Sequence, residues 1–145
     1  MRNPDQKEMQ NMQNIDELET VLYAGNLLLS SGAEIYRAEE TMHRIAEAMK
    51  IKNMDAYVTN RGIFASGNVP GKGIESRIMS VPDKELNIDK IEAVNELSRE
   101  VCSNCLDISY LRTSLQKIAD MGEQKVSERI LSYFLGAGCF SYAIG

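Results

Sequence analysis

Met54-Asp55-Ala56-Tyr57-Val58-Thr59, residues 54–59, places Met54, Ala56 and Val58 on one face and Asp55 and Tyr57 on the other. A period of two is the mark of a half-buried strand. Asn60-Arg61-Gly62 then supplies turn chemistry, and Ile63-Phe64-Ala65-Ser66 resumes the extended pattern, so residues 54–66 predict a β-hairpin. On both sides of this hairpin the period becomes helical, and that contrast sets the fold class.

Upstream, Asp16 stands where an N-cap belongs, with Glu19 three residues on as a capping box requires. Leu18, Leu22, Gly25 and Leu29 follow at spacings of four, three and four, which predicts an amphipathic helix. Ser31-Gly32-Ala33-Glu34 interrupts it and reads as the cap of a second helix. That helix carries Ile35, Ala38, Met42, Ile45 and Met49 on one face, and Tyr36, Arg37, Glu40, His43 and Glu47 on the other. A short turn makes the two helices antiparallel neighbours.

Downstream, Gly67-Asn68-Val69-Pro70-Gly71-Lys72-Gly73 reads as a flexible loop, and Ile74–Val81 as a third strand stopped by Pro82. Asn87 is a good N-cap for a helix with Ile88, Ile91, Val94, Leu97 and Val101 as its buried stripe. A last helix follows Asp107 with Ile108, Leu111, Leu115 and Ile118. The expected fold is α+β: two N-terminal helices, a small antiparallel sheet of about three strands, then two further helices.

The composition is that of one globular domain. In 145 residues, 43% are hydrophobic and 26% charged, and the net charge of −5 leaves no basic stripe for displacing phosphate counterions. Nucleic acid is therefore not an expected partner. The polar start, Met1 to Asn14, reads as a disordered tail without a signal peptide, which leaves the domain in the cytoplasm. Cys102, Cys105 and Cys139 suit a reducing compartment.

From Ile130 the chain runs sixteen residues to Gly145 without a charge. No helical face of this run is polar, so it does not suit a surface helix. A membrane span needs about 20 apolar residues, and a shorter run is also compatible with a helix buried in a core or interface. Gly136, Ala137, Gly138 and Ser141 are the small residues by which membrane helices approach one another. The expectation is a division into a tail (1–14), a cytoplasmic α+β domain (15–122) and the beginning of a first transmembrane helix (123–145), truncated at the end of the chain.

The chain resembles the threonine/serine exporter family, whose relatives include a dicarboxylate (succinate) exporter. The resemblance lies in Ala24-Gly25, Leu28-Leu29, Ser31-Gly32-Ala33-Glu34, Tyr36-Arg37, Glu39-Glu40-Thr41-Met42 and Ile45-Ala46. It continues through Val58-Thr59, Gly62-Ile63-Phe64, Arg77, Val81-Pro82, Asn87, Ala93-Val94-Asn95 and Leu97-Ser98-Arg99-Glu100. It implies a cytoplasmic domain preceding a bundle of membrane helices, in the inner (plasma) membrane, that exports small polar metabolites. The implied partners are the membrane, the remaining transmembrane region or a separate membrane subunit, further copies of the chain in a homo-oligomer, and a small polar solute. No cofactor and no catalysis are implied. Rival expectations are a membrane-tethered hydrolase-like domain, a dicarboxylate exporter, and a helical module that dimerises through its apolar tail.

The candidate substrate or coupling residues are Glu34, Arg37, Glu40, Arg77, Asn95 and Arg99. Glu34 and Arg37 lie one turn apart and suit a polar site beside a transport path. Ser31 at an N-cap with Glu34 at N3 also reads as a capping box. Arg37 and Glu40, three apart, also suit a solvated ion pair. Arg61, Arg77 and Arg99 come from separate segments and would hold a carboxylate if they converged, or else stand as surface arginines. His43, the single histidine, falls on a polar helix face, and Cys102-Ser103-Asn104-Cys105 closes a helix, so neither predicts a metal or redox site. The 67–73 segment lacks the spacing and the Ser or Thr of a phosphate loop.

Overall fold

The computed structural model describes residues 16–104 and 106–121. The polar tail, Cys105 and the uncharged run from Ile130 therefore lie outside the described residues. Within them the order is α1 (Glu17–Ser30), α2 (Ile35–Ala48), β1 (Lys52–Val58), β2 (Gly62–Val69), β3 (Gly73–Ser80), α3 (Ile88–Asn104) and α4 (Ile108–Ala119). The three strands form one antiparallel sheet in the order β1-β2-β3. The fold is α+β, with helices, sheet and helices in the predicted order.

α1 is the centre of the molecule. Asp16 caps it by accepting from the Glu19 N–H at 3.1 Å. Nine of its fourteen residues are buried, far more than one stripe. The cause is packing on several sides: α1 touches β2, β3, α2, α3 and α4. A helix that is apolar nearly all round belongs in a core. Gly25 lets α2 approach closely, since a Cβ there would lie 2.4 Å from Met42 Sδ.

Ser31 and Glu34 do not form a capping box. Ser31 is the C-cap of α1, Gly32 takes φ +89°, and the Ala33 and Gly32 N–H groups donate to the Leu28 and Leu29 carbonyls. This is a Schellman closure, which uses Gly for its left-handed residue. Glu34 becomes the N-cap of α2 without any side-chain cap bond. α2 closes the same way, with Ile51 N–H on the Ala46 carbonyl, but its left-handed residue is Lys50 at φ 60°.

The sheet corrects the expected 67–73 loop. Gly67, Asn68 and Val69 continue β2, and only 70–72 turn. Gly67 is buried in the strand because Ile51 closes over it; a Cβ there would meet Ile51 Cγ2 at 2.7 Å. Met54, Val58, Ile63, Ala65 and Val69 line the covered face of the sheet beneath the helices. Asn87 caps α3 through the Lys90 N–H at 3.0 Å. Val94, Leu97 and Val101 are buried as the spacing predicts, whereas Ile88 in the first turn is 58% exposed. Asp107 caps α4, whose Leu111, Leu115 and Ile118 are buried.

Candidate functional site

Thr41 on α2 donates to Asn95 Oδ1 on α3 at 3.1 Å, and Arg44 Nη1 donates to Ser98 Oγ at 3.0 Å. Both pairs span 54 residues, so α2 and α3 run in the same direction, in register along their polar seam. Ser98 is fully buried, and its own hydroxyl donates to the Asn95 carbonyl at 2.7 Å. The seam therefore has a satisfied polar floor, which holds the helices at a fixed separation.

Above that floor lies a groove of about 250 Å³. Arg37, Glu40 and Arg44 wall it from α2, Asn95 and Arg99 from α3, and Tyr36 and Thr41 complete it. The volume falls below the roughly 300–1,000 Å³ of drug-sized sites, which suits a small metabolite. Its charges are three guanidinium groups against one carboxylate. Arg44 is already engaged, by Ser98 and by Glu40 Oε1 at 2.9 Å. Arg37 stacks near the Tyr36 ring, donates to the Tyr36 hydroxyl at 3.2 Å, and stands 3.9 Å from Glu34. That hydroxyl first, then Glu34 and Glu40, push the Arg37 pKa above its ordinary value. Arg99 makes no ion pair among the described residues. The groove thus offers one unpaired guanidinium, Arg99, while its one carboxylate, Glu40, is held by Arg44; a free guanidinium is what a carboxylate-bearing solute needs.

Four of the six predicted residues, Arg37, Glu40, Asn95 and Arg99, share this groove. Glu34 lies one turn away beside Arg37 and is exposed. The expected Arg37–Glu40 pair is replaced by two others, Glu34–Arg37 and Glu40–Arg44. Arg77 belongs elsewhere: its Nε donates to Asp16 Oδ2 at 2.7 Å and its Nη2 meets Glu75 at 3.2 Å. Arg61 lines a different cavity of about 410 Å³, with Asn60, Val81, Pro82, Asp83 and Lys84. The arginine convergence of Arg61, Arg77 and Arg99 is not formed. Thr41, Arg44 and Ser98 are not among the site candidates read from sequence, although Thr41 and Ser98 fall in the stretches that carry the family resemblance; the available signal is polar residues repeating at three and four along both helices.

Among the described residues no helix is long and apolar enough to cross a membrane, and no group of three or more His, Cys, Asp or Glu is placed to hold a metal ion. A family model for threonine/serine exporters matches residues 19–145, from the first turn of α1 through the uncharged run. The chain belongs to the threonine/serine exporter family, whose members are membrane transporters rather than enzymes. No curated protein and no solved structure matches it.

Proposed function

We infer that this chain is the cytoplasmic N-terminal part of an exporter of threonine/serine-type amino acids, and that the α2–α3 groove recognises the solute before it enters the membrane region. One observation carries the reading: a single exporter-family match runs through the folded domain and on through the uncharged sixteen-residue run. In this reading the run begins the first membrane helix, which places the domain at the inner (plasma) membrane.

The groove supports an amino-acid solute. Arg99 takes the α-carboxylate, Glu40 is shared between Arg44 and the ammonium, and the Asn95 amide N–H, whose oxygen Thr41 occupies, donates to a side-chain hydroxyl. A charge-assisted hydrogen bond contributes about 1.5–3 kcal/mol, so losing the Arg99 contact weakens recognition by a factor of roughly 10–150. The excess of arginine over glutamate favours a second solute class, dicarboxylates such as succinate, with Arg37 taking the second carboxylate.

The test is efflux. The complete transporter, including its membrane region or membrane partner, is expressed in cells lacking their own threonine exporters, and the cells are loaded with a threonine-containing dipeptide. Threonine efflux above the empty-vector rate is expected, with the half-saturating internal concentration raised about tenfold or more by Arg99→Ala. Succinate efflux without threonine efflux shifts the assignment to dicarboxylates. No efflux of either solute refutes the export reading, and efflux unmoved by Arg99→Ala refutes the groove.

A further inference from the structure

The two edges of the sheet are built differently. β1 carries Lys52, Asn53 at φ 50° and a register irregularity between Lys52 and Asp55, all devices that blunt an edge. β3 has no such irregularity: after Gly73 at φ 85° its eight residues keep unbroken register with β2, and its two charged residues, Glu75 and Arg77, pair with each other. The Val81 N–H donates to the Arg61 carbonyl, so by antiparallel alternation the odd-numbered residues of β3 bond to β2. Ile74, Ser76, Ile78 and Ser80 therefore turn their backbone groups to the open edge. Side-chain donors confirm that direction, since Arg77 Nη1 reaches the Ser76 carbonyl at 3.0 Å and Asn26 Nδ2 the Ser80 carbonyl at 2.7 Å.

This edge is also sticky. Ile74 and Ile78 are 81% and 77% exposed, the largest exposures of any large apolar side chain in the described fold. The sequence around them, Ile74-Glu75-Ser76-Arg77-Ile78, is complementary to itself about Ser76. Antiparallel pairing with an identical strand sets Ile74 against Ile78, Glu75 against Arg77 and Ser76 against Ser76. Glu75 and Arg77 lie on the helix-covered face, opposite Gly67 and Ala65, while Ile74, Ser76 and Ile78 lie on the outer face. Both faces of such a pairing match at once: apolar with apolar outside, acid with base inside.

We propose that β3 is a homodimerisation edge, pairing antiparallel with β3 of a second copy of this chain across a two-fold axis at Ser76. The even-numbered residues exchange backbone hydrogen bonds, and the two sheets become one. Arg77 releases its own Ser76 carbonyl and turns to Glu75 of the second copy. The contact is isologous, so it closes at two copies and does not propagate. It is independent of which solute is exported.

Disulfide trapping tests it, on the full chain in detergent with Cys102, Cys105 and Cys139 replaced by serine. Ser76→Cys brings two Cα atoms to about 5.5 Å, within disulfide reach, and mild oxidation gives a covalent dimer. Ile74→Cys leaves its two thiols four residues apart along the strand, about 13 Å, and stays uncrosslinked. By sedimentation equilibrium, Ser76→Pro and Ile78→Lys each raise the dimer dissociation constant at least about tenfold with unchanged far-UV circular dichroism. A monomeric parent chain, a dimer insensitive to both substitutions, or equal crosslinking at positions 74 and 76 overturns the proposal.

Discussion

Gly25→Ala adds one methyl group at the most crowded point of the helical layer. In an open helix interior this change stabilises by about 0.8–1 kcal/mol, because alanine has the better helix propensity. Here the new carbon lies 2.4 Å from Met42 Sδ, 2.9 Å from Met42 Cγ and 3.1 Å from Ile63 Cδ1. Met42 is fully buried and cannot swing into solvent. Overpacking of this kind costs about 1–3 kcal/mol, so the net effect is a loss of up to about 2 kcal/mol. A loss of 1 kcal/mol lowers the melting temperature of a domain this size by about 4–8 °C. The decisive comparison uses Met42→Ala, which itself costs about 2–5 kcal/mol but empties the space above Gly25. In that background Gly25→Ala stabilises, by up to about 1 kcal/mol, and the coupling between the two sites is about 1–3 kcal/mol. Urea denaturation read by circular dichroism gives both values, provided the m-value is unchanged. If Gly25→Ala stabilises the parent chain as well, Met42 is not pressed against α1 and the packing argument fails.

Lys50→Gly relieves a left-handed lysine at the end of α2 and raises stability by about 0.5–1 kcal/mol in the same denaturation assay. Asn87→Ala removes a formed N-cap and costs about 1 kcal/mol, whereas Glu34→Ala, at a cap without a side-chain bond, stays within about 0.5 kcal/mol. For Asp16, burial alone raises the pKa, but the Glu19 N–H and the Arg77 guanidinium outweigh it and hold the carboxyl below its ordinary value of 3.8. A depressed folded pKa contributes stability that is complete above the unfolded value and lost as pH falls through the folded one. Asp16→Asn, which keeps a capping oxygen, therefore costs about 0.5–1 kcal/mol at pH 7, and the gap to the parent closes as pH drops below about 4. A gap constant from pH 7 to pH 3 shows that the Asp16–Arg77 charge pair contributes nothing.

Local grammar made most of the fold legible. Asp16, Asn87 and Asp107 announced three helix starts that the structure keeps, and the two-residue period at Met54-Ala56-Val58 located the sheet. The failures are places where a distant contact overrides a local signal. Gly67 reads as loop chemistry, yet it sits inside β2 because Ile51 needs the space a side chain would fill. Ser31 reads as the start of α2, yet Gly32 beside it completes the end of α1. Lys50 gives no sign of its left-handed backbone, since the glycine usual there is missing. Ile88 fits the apolar stripe of α3 but stays 58% exposed in the first turn, although Asn87 and Lys90 on either side of it bond to Ser31 and Ala119. The candidate site was legible as residue types and not as partners. The groove depends on two parallel helices meeting across 54 residues, and no local pattern reports that register.

The groove and the β3 edge are separate devices because they are held by different ties. β3 and the turn before it are fastened to α1 and its N-cap by three polar contacts: Asp16 to Arg77, Glu17 to Lys72, and Asn26 to Ser80. The groove is fastened by Thr41–Asn95 and Arg44–Ser98, and shares no residue with that set. Distant sites without common partners act additively, within about 0.3–0.5 kcal/mol. Ser76→Pro should therefore leave the half-saturating concentration for efflux within about twofold of the parent, and Arg99→Ala should leave the dimer dissociation constant equally unmoved. A larger cross-effect in either direction means that α1, the one element touching both sides, shifts as a body between two positions. Solute recognition would then be read out through the dimer.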